Sequence, residues 1–220
     1  MKHFMNIDRK KFTFLSSPLA LLVLGACGGG GGGVSSGYSG GSSGGGSSST
    51  IGGNVVQGPL SNALVGLDYN GDGIIDSATV RPGSDGGYSL TTTDSTYTIV
   101  AIADETTIDT SSGTVLSGIT LKAPKGASVV TPTTTLIEEA GITKEQVAEV
   151  LGLPDGVDPL SFNPYATGVN SADALAVAKV SKQIMSVVNA FAGAAEGAGA
   201  SEAEAFEAAL NSVVEVVKTK

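Results

Sequence analysis

The sequence predicts an α+β fold, a small antiparallel β-sandwich followed by an α-helical domain that ends in a long antiparallel helix pair. Three observations carry this. From Ile51 to Val130 the chain runs in short segments rich in Val, Ile, Thr and Tyr, alternating apolar with polar residues and separated by Gly, Asn and Asp. At Thr131 the period changes from two to 3.6 residues, and it recurs in three later segments. Ahead of both lies a tract of almost pure glycine and serine, which cannot bury enough surface to order itself. The chain divides accordingly into residues 1–26, 27–50, 51–130 and 131–220.

Residues 1–26 open with a basic start (Lys2, Arg9, Lys10, Lys11) and continue with an apolar stretch from Phe12 to Leu24, the layout of a secretory signal peptide. That stretch has about 13 residues, against roughly 20 for a membrane span, and Ser16, Ser17 and Pro18 interrupt it. It closes on Leu24-Gly25-Ala26-Cys27, and Cys27 is the only cysteine in the chain. An ordinary signal peptidase accepts small residues at this place but leaves the lone cysteine unexplained. The stretch resembles the lipobox of bacterial lipoproteins. That resemblance implies a diacylglycerol on the Cys27 thiol, removal of residues 1–26 and acylation of the new amino end, giving a lipid anchor in the membrane. Several acyl chains, at about 0.8 kcal/mol per buried methylene, hold where one holds weakly. By the same resemblance, Gly28 in place of aspartate points to the outer membrane of a two-membrane envelope.

Gly28 to Thr50 then forms a tether, whose root-mean-square span as a flexible coil is roughly 25 Å. The precursor carries a net charge of −9, and cutting before Cys27 removes four basic residues and Asp8, leaving about −12. Nucleic acid is excluded as a partner by that charge. The residue inventory is more restrictive still. The only histidine, His3, lies in the leader, so the mature chain has no imidazole and no free thiol. Ser-His and Cys-His triads, zinc sites with His or Cys ligands, haem and iron–sulfur clusters are thereby ruled out. What survives is carboxylate chemistry, in the form of oxygen-ligated metals or an acid pair.

Between Ile51 and Val130 the alternation predicts strands near residues 53–57, 63–68, 87–92, 97–103, 114–121 and 127–130. Short strands without an intervening helical period argue two half-apolar sheets that cover each other. Gly52-Gly53-Asn54-Val55-Val56, Gly58-Pro59-Leu60-Ser61-Asn62-Ala63-Leu64-Val65, Gly86-Gly87-Tyr88-Ser89-Leu90 and Thr96-Tyr97-Thr98-Ile99-Val100 together resemble the carboxypeptidase regulatory-like, or prealbumin-like, β-sandwich. The resemblance covers about 55 residues and implies a non-catalytic adhesive or spacer module.

An acidic insertion, Asp68-Tyr69-Asn70-Gly71-Asp72-Gly73-Ile74-Ile75-Asp76, lengthens the first hairpin. Side-chain oxygens at its first, third, fifth and ninth positions, a glycine at the sixth, a backbone carbonyl at the seventh and an apolar residue at the eighth resemble the calcium loop of EF-hands and dockerins. The candidate ligands are Asp68, Asn70, Asp72, the carbonyl of Ile74, and Asp76. Thr79 stands at the twelfth position, where those loops carry a bidentate acid, so the calcium site is expected to be weak, at ~0.1 to 1 mM. The competing reading is a plain Asn70-Gly71 hairpin turn with acidic neighbours.

From Thr131 onward four helices are predicted. Thr131 caps the first, with Pro132 at its first position and Gly141 as its stop. Thr143 and Gln146 form a capping box for the second, which Gly152 closes. Residues 154–170 are a loop. Ser171 opens the third helix, with Val177, Val180, Ile184, Val187 and Phe191 on one face. Gly193 to Ala200 is a small-residue connection. Ser201 and Glu204 box the start of the fourth, whose stripe is Phe206, Leu210, Val213 and Val217. Both stripes are assigned to the core, with a partner helix or lipid groove as the alternative, and the two parts are expected to separate near Val129 to Pro132. Val130-Thr131-Pro132-Thr133-Thr134-Thr135-Leu136 and Leu151-Gly152-Leu153-Pro154-Asp155-Gly156-Val157-Asp158 resemble a segment of large bacterial surface proteins that has no biochemical role attached to it.

Two functions follow. The first is a non-enzymatic, lipid-anchored module at the outer membrane or cell surface that binds calcium and presents itself to a protein or glycan partner. The alternative is a carboxylate-dependent glycan hydrolase. Against the second stand 5 % aromatic residues and no tryptophan to stack on a sugar ring.

Overall fold

The computed structural model describes residues 48–219. The leader, Cys27 and the tether up to residue 47 lie outside the described residues. The described residues form one compact unit, in which Ser49 and Thr50, expected as the end of the tether, are already paired in a sheet with Thr92 and Thr91.

The fold class is α+β. Its strands are β1 (Ser49–Val55), β2 (Leu60–Ser61), β3 (Leu64–Asp68), β4 (Gly87–Thr92), β5 (Thr98–Ile102), β6 (Thr107–Asp109), β7 (Thr114–Leu116), β8 (Thr120–Pro124) and β9 (Val129–Val130). They make three three-stranded sheets, ordered β4-β1-β9, β2-β6-β7 and β3-β5-β8. All pairings are antiparallel except β1 with β9, which run parallel with Asn54 beside Val129. Alternation decides which side faces in. On β4, Tyr88, Leu90 and Thr92 are buried and Ser89 and Thr91 exposed, and Leu90 sits opposite Ile51 of β1. On the other sheet Ile99 of β5 lies between Leu67 of β3 and Ala123 of β8.

The strands depart from the sequence expectation at four places: β1 starts at Ser49, ahead of the expected 53, and the two-residue β2, which pairs with β6, is not among the expected strands. The predicted run 114–121 is broken into β7 and β8, because Gly118 adopts φ +65° and turns the chain. β6 has no counterpart among the predicted strands, since its pattern is inverted: Thr107 and Asp109 are buried and Ile108 is exposed. The Asp109 carboxylate is satisfied inward by the backbone N–H of Ser111 at 2.8 Å and its hydroxyl at 2.6 Å.

The helices are α1 (Pro132–Ala140), α2 (Lys144–Leu151), α3 (Ser171–Gly197) and α4 (Glu202–Lys218). Thr131, Thr143 and Ser201 each form a reciprocal capping box, and Gly141 and Gly152 close α1 and α2 in the left-handed conformation. The cap of α3 is Asn170, whose side-chain oxygen accepts from Ala172 and Asp173 N–H, with Ser171 as first helical residue. α3 also runs through the expected connection as far as Gly197, since its alanines favour helix more strongly than two glycines oppose it.

The expected junction near Val129 to Pro132 is a change of secondary structure inside one core, not a domain boundary. Val55, Leu67, Ile99 and Leu121 from the sheets join Leu136, Val147, Val188 and Phe206 from the helices in a single cluster. Thr134 and Thr135 of α1 fasten it to β8. The Thr134 hydroxyl accepts the Thr131 N–H at 2.8 Å and donates to the Lys122 carbonyl at 2.8 Å. The Thr135 hydroxyl accepts the Lys122 N–H at 2.9 Å and donates to the Thr131 carbonyl at 2.8 Å. The threonine-rich segment thus has a structural use, satisfying backbone groups of β8 that no strand reaches.

The two expected stripes are split. Val177 and Ile184 are buried, but α3 buries Met185, Val188 and Ala192 beside them and leaves Val187 and Phe191 exposed. On α4, Phe206, Leu210 and Val217 are buried as expected, while Val213 is half-covered and Val214 takes the core position.

Candidate metal-binding loop

The acidic loop leaves the end of β3 at Asp68 and returns over the same strand. Gly66 makes this return possible, because a Cβ there would sit 2.3 Å from Cγ2 of Ile75. Ile75, the eighth residue of the loop, therefore rests on β3 as its apolar anchor. The return limb is pinned further by the Leu67 carbonyl, which accepts from the N–H of Asp76 at 2.8 Å and of Ser77 at 3.1 Å. Ser77 Oγ in turn accepts the Leu67 N–H at 2.8 Å.

Within the loop the side-chain oxygens cap backbone N–H groups in sequence. Asp68 Oδ1 accepts from Asn70 at 3.0 Å and Gly71 at 2.7 Å, and its Oδ2 from Gly73 at 2.8 Å. Asn70 Oδ1 accepts the Asp72 N–H at 2.9 Å, and Asp72 Oδ1 the Ile74 N–H at 2.8 Å. Asp76 Oδ2 closes the ring on Tyr69 N–H at 2.8 Å. Gly71 and Gly73 take φ of +79° and +81°, which only glycine adopts without strain. The turn reading of Asn70-Gly71 is therefore too small a description: the side chains of Asp68, Asn70, Asp72 and Asp76 organise nine residues of backbone.

Asp68 is 2 % exposed. Burial alone would push its pKa up, but the N–H groups of Gly73, Gly71 and Asn70, with the Lys122 ammonium beside them, outweigh it and hold the carboxyl below its ordinary value. It is a carboxylate at neutral pH. Asn70, Asp72 and Asp76 are exposed, as is Ile74, whose side chain points away from the anchor position.

Sequence reasoning missed two neighbours. Lys122 of β8 pairs with Glu139 of α1 at 2.6 Å and lies against Gly73. With Asp72, Ile74, Glu207 and Asn211 these two line a cavity of about 260 Å³ between the loop, β8 and the helices. No local motif could have joined them to the loop; only the threonine clamp between α1 and β8 brings them there.

The side-chain oxygens are of the type a hard cation takes, but each accepts from a backbone N–H of the loop itself. Two further features count against a strong site. Thr79 is exposed and supplies no acid, and among the described residues no three acidic, histidine or cysteine side chains converge in one group. No described helix is long and apolar enough to cross a membrane. Cys27, the other expected site residue, lies outside the described residues. The chain matches no protein-family model, no curated protein and no solved structure.

Proposed function

We propose that this chain is a lipid-anchored cell-envelope protein whose folded unit is a non-enzymatic binding or adhesion module with a weak calcium site, displayed at the outer membrane or cell surface. The observation that carries the reading is the order of its parts. A basic and apolar leader ends at Leu24-Gly25-Ala26-Cys27, a glycine-serine tract follows, and β1 of the folded unit begins at Ser49, where that tract ends. That order suits a protein held by lipid and lifted clear of the bilayer.

Asp68, Asn70, Asp72 and Asp76, with the Ile74 carbonyl, would hold the ion. Calcium supplies positive charge that neutralises carboxylates crowded into one turn. Magnesium would do less, since it demands a tight octahedron and gives up water reluctantly. A protein or a glycan at the surface is the partner class, and the acidic charge speaks against nucleic acid.

Intact-mass measurement tests the anchor. The wild type should begin at residue 27 with added acyl mass, and Cys27→Ser should remain uncut and unlipidated. A wild-type product beginning at residue 27 without acyl mass would defeat the reading. Thermal melting tests the loop. Stabilisation follows RT ln(1 + [Ca]/Kd), so ~2 mM calcium against a ~0.2 mM site gives about 1.4 kcal/mol, a shift of a few degrees. Asp72→Ala should abolish the shift. Equal wild-type curves in calcium and in chelator would reduce the loop to a turn.

A further inference from the structure

We infer that Asn70-Gly71 and Asp72-Gly73 are a pair of self-modification sites, held shut by the buried carboxylate of Asp68, at which the loop converts to aspartate and isoaspartate only after it opens. The reaction needs no partner but water. The backbone nitrogen of the residue that follows Asn or Asp loses its proton and attacks the side-chain Cγ, closing a succinimide ring. Asn70 expels ammonia in this step, and Asp72 expels water. Water then opens the ring at either carbonyl. One opening leaves ordinary aspartate, and the other routes the main chain through the side-chain carbon as isoaspartate. In sum Asn70 exchanges an amide for a carboxylate, and Asp72 keeps its composition. A following glycine favours the attack, because no Cβ screens its nitrogen.

The fold itself dictates both glycines. Gly71 and Gly73 sit at φ +79° and +81°, where any side chain would be strained. A Cβ on Gly71 would meet nothing within 4 Å, and Asn70 and Asp72 are exposed, so water and hydroxide reach both dipeptides. Asn70 is also the only asparagine of the chain that precedes glycine. The loop thus carries the same chemical liability twice in succession.

Asp68 meets both at once. Its Oδ1 accepts the Gly71 N–H at 2.7 Å and its Oδ2 the Gly73 N–H at 2.8 Å. The two nitrogens that would attack are therefore held by one carboxylate. Each attacks as an anion, which a negative charge this close opposes, most strongly where Asp68 is 2 % exposed and water screens little. The groups under attack are held as well. Asn70 Oδ1 accepts the Asp72 N–H at 2.9 Å and its Nδ2 donates to Asp72 Oδ2 at 3.2 Å, while Asp72 Oδ1 accepts the Ile74 N–H at 2.8 Å. Ring closure has to break these bonds, so conversion follows the open population of the loop. Loss of ammonia makes the change at Asn70 permanent. Isoaspartate lengthens the main chain by one carbon and shortens the side chain by one, so the row of caps cannot re-form. The guard needs no bound cation.

The test is run on the whole protein in chelator at mildly alkaline pH, with peptide mapping for deamidation at residue 70 and isoaspartate at residues 70 and 72. Folded wild type should convert at least about tenfold more slowly than the same chain in guanidinium chloride. Gly66→Ala places a methyl 2.3 Å from Cγ2 of Ile75 and leaves every residue of the loop unchanged. It should speed both sites by about tenfold. Asp68→Asn offers one acceptor oxygen to two N–H groups and should speed at least one site. Asp85-Gly86 reports unfolding elsewhere, because Gly86 is buried, donates to the Gly83 carbonyl at 3.0 Å and accepts from the Val55 N–H at 2.8 Å. It should stay slow in both variants. A folded wild type that converts as fast as the unfolded chain overturns the proposal, as do variants in which residues 70 and 72 speed up no more than Asp85.

Discussion

The threonine clamp between α1 and β8 can be opened with one near-isosteric change. Thr135 is fully buried, and its hydroxyl is the acceptor for the Lys122 N–H at 2.9 Å. Thr135→Val keeps the volume and removes the acceptor, leaving a donor of β8 without a partner in a dry setting. The cost of such an orphaned group is about 1–3 kcal/mol. For a unit of this size 1 kcal/mol moves Tm by about 2–4 °C, so a fall of roughly 2–12 °C is expected. Thr135→Ser retains the hydroxyl and should lose only the small contribution of a methyl group. Thermal unfolding by circular dichroism reads both variants, and amide exchange at Lys122 should accelerate in the valine variant alone. If Thr135→Val melted with the wild type, or if serine were as damaging as valine, the clamp would not be holding α1 on the sheet.

Two further outcomes follow from the loop and its charges. Gly66→Ala should displace Ile75, since the added methyl would lie 2.3 Å from Cγ2; the expected cost is about 1–3 kcal/mol, with faster amide exchange at Gly71 and Gly73 and none at α3 as the readout. The carboxyls of Asp68, Asp109 and Asp158 are all held below their ordinary values, the first two by N–H and hydroxyl donors that outweigh burial and the third chiefly by Lys144. Their stabilisation is therefore complete above the unfolded value near ~3.9 and is lost as pH falls through the lowered folded values. Tm should be flat from about pH 5 to pH 7 and drop below about pH 4, and a Tm that rose on acidification would contradict the assignment.

What the sequence made legible follows from how local each signal is. The capping boxes of α2 and α4, the Thr131 cap of α1 and the two left-handed glycine stops were readable because a cap and its partner lie within one turn, whereas the box that Thr134 completes at α1 was not, since threonine is not the Glu or Gln such a box usually carries. β4 was readable because Tyr88, Leu90 and Thr92 alternate against solvent. β6 was not, because it faces a carboxylate inward and an isoleucine outward. The α3 stripe misled for a related reason. Period gives the apolar face of a helix but not how far the neighbouring elements extend over it, and α2 and α4 leave Val187 and Phe191 uncovered. Within the acidic loop the sequence named the oxygen donors, yet their order depends on Gly66, and their electrostatics depend on Lys122 and Glu139, 46 and 63 residues after Asp76.

That distance has a consequence for any cation the loop takes. The backbone of Lys122 is fixed by Thr134 and Thr135, so its ammonium is presented between Glu139 and the buried carboxylate of Asp68 as an internal counter-ion. It stabilises the metal-free loop by attraction to Asp68 and opposes a divalent ion by repulsion, two effects of one charge with opposite sign on calcium binding. Lys122→Gln removes the charge and keeps a polar side chain of similar reach. The metal-free protein should melt lower, because Asp68 and Glu139 lose their partner in a half-buried setting. The shift produced by calcium should grow, because the ion no longer competes with an ammonium held beside its ligands. Each tenfold gain in affinity adds about 1.4 kcal/mol once calcium is well above Kd, which is readable as several degrees. A calcium shift that stayed the same or shrank in Lys122→Gln would mean that the ion, where it binds, is not bound next to Asp68.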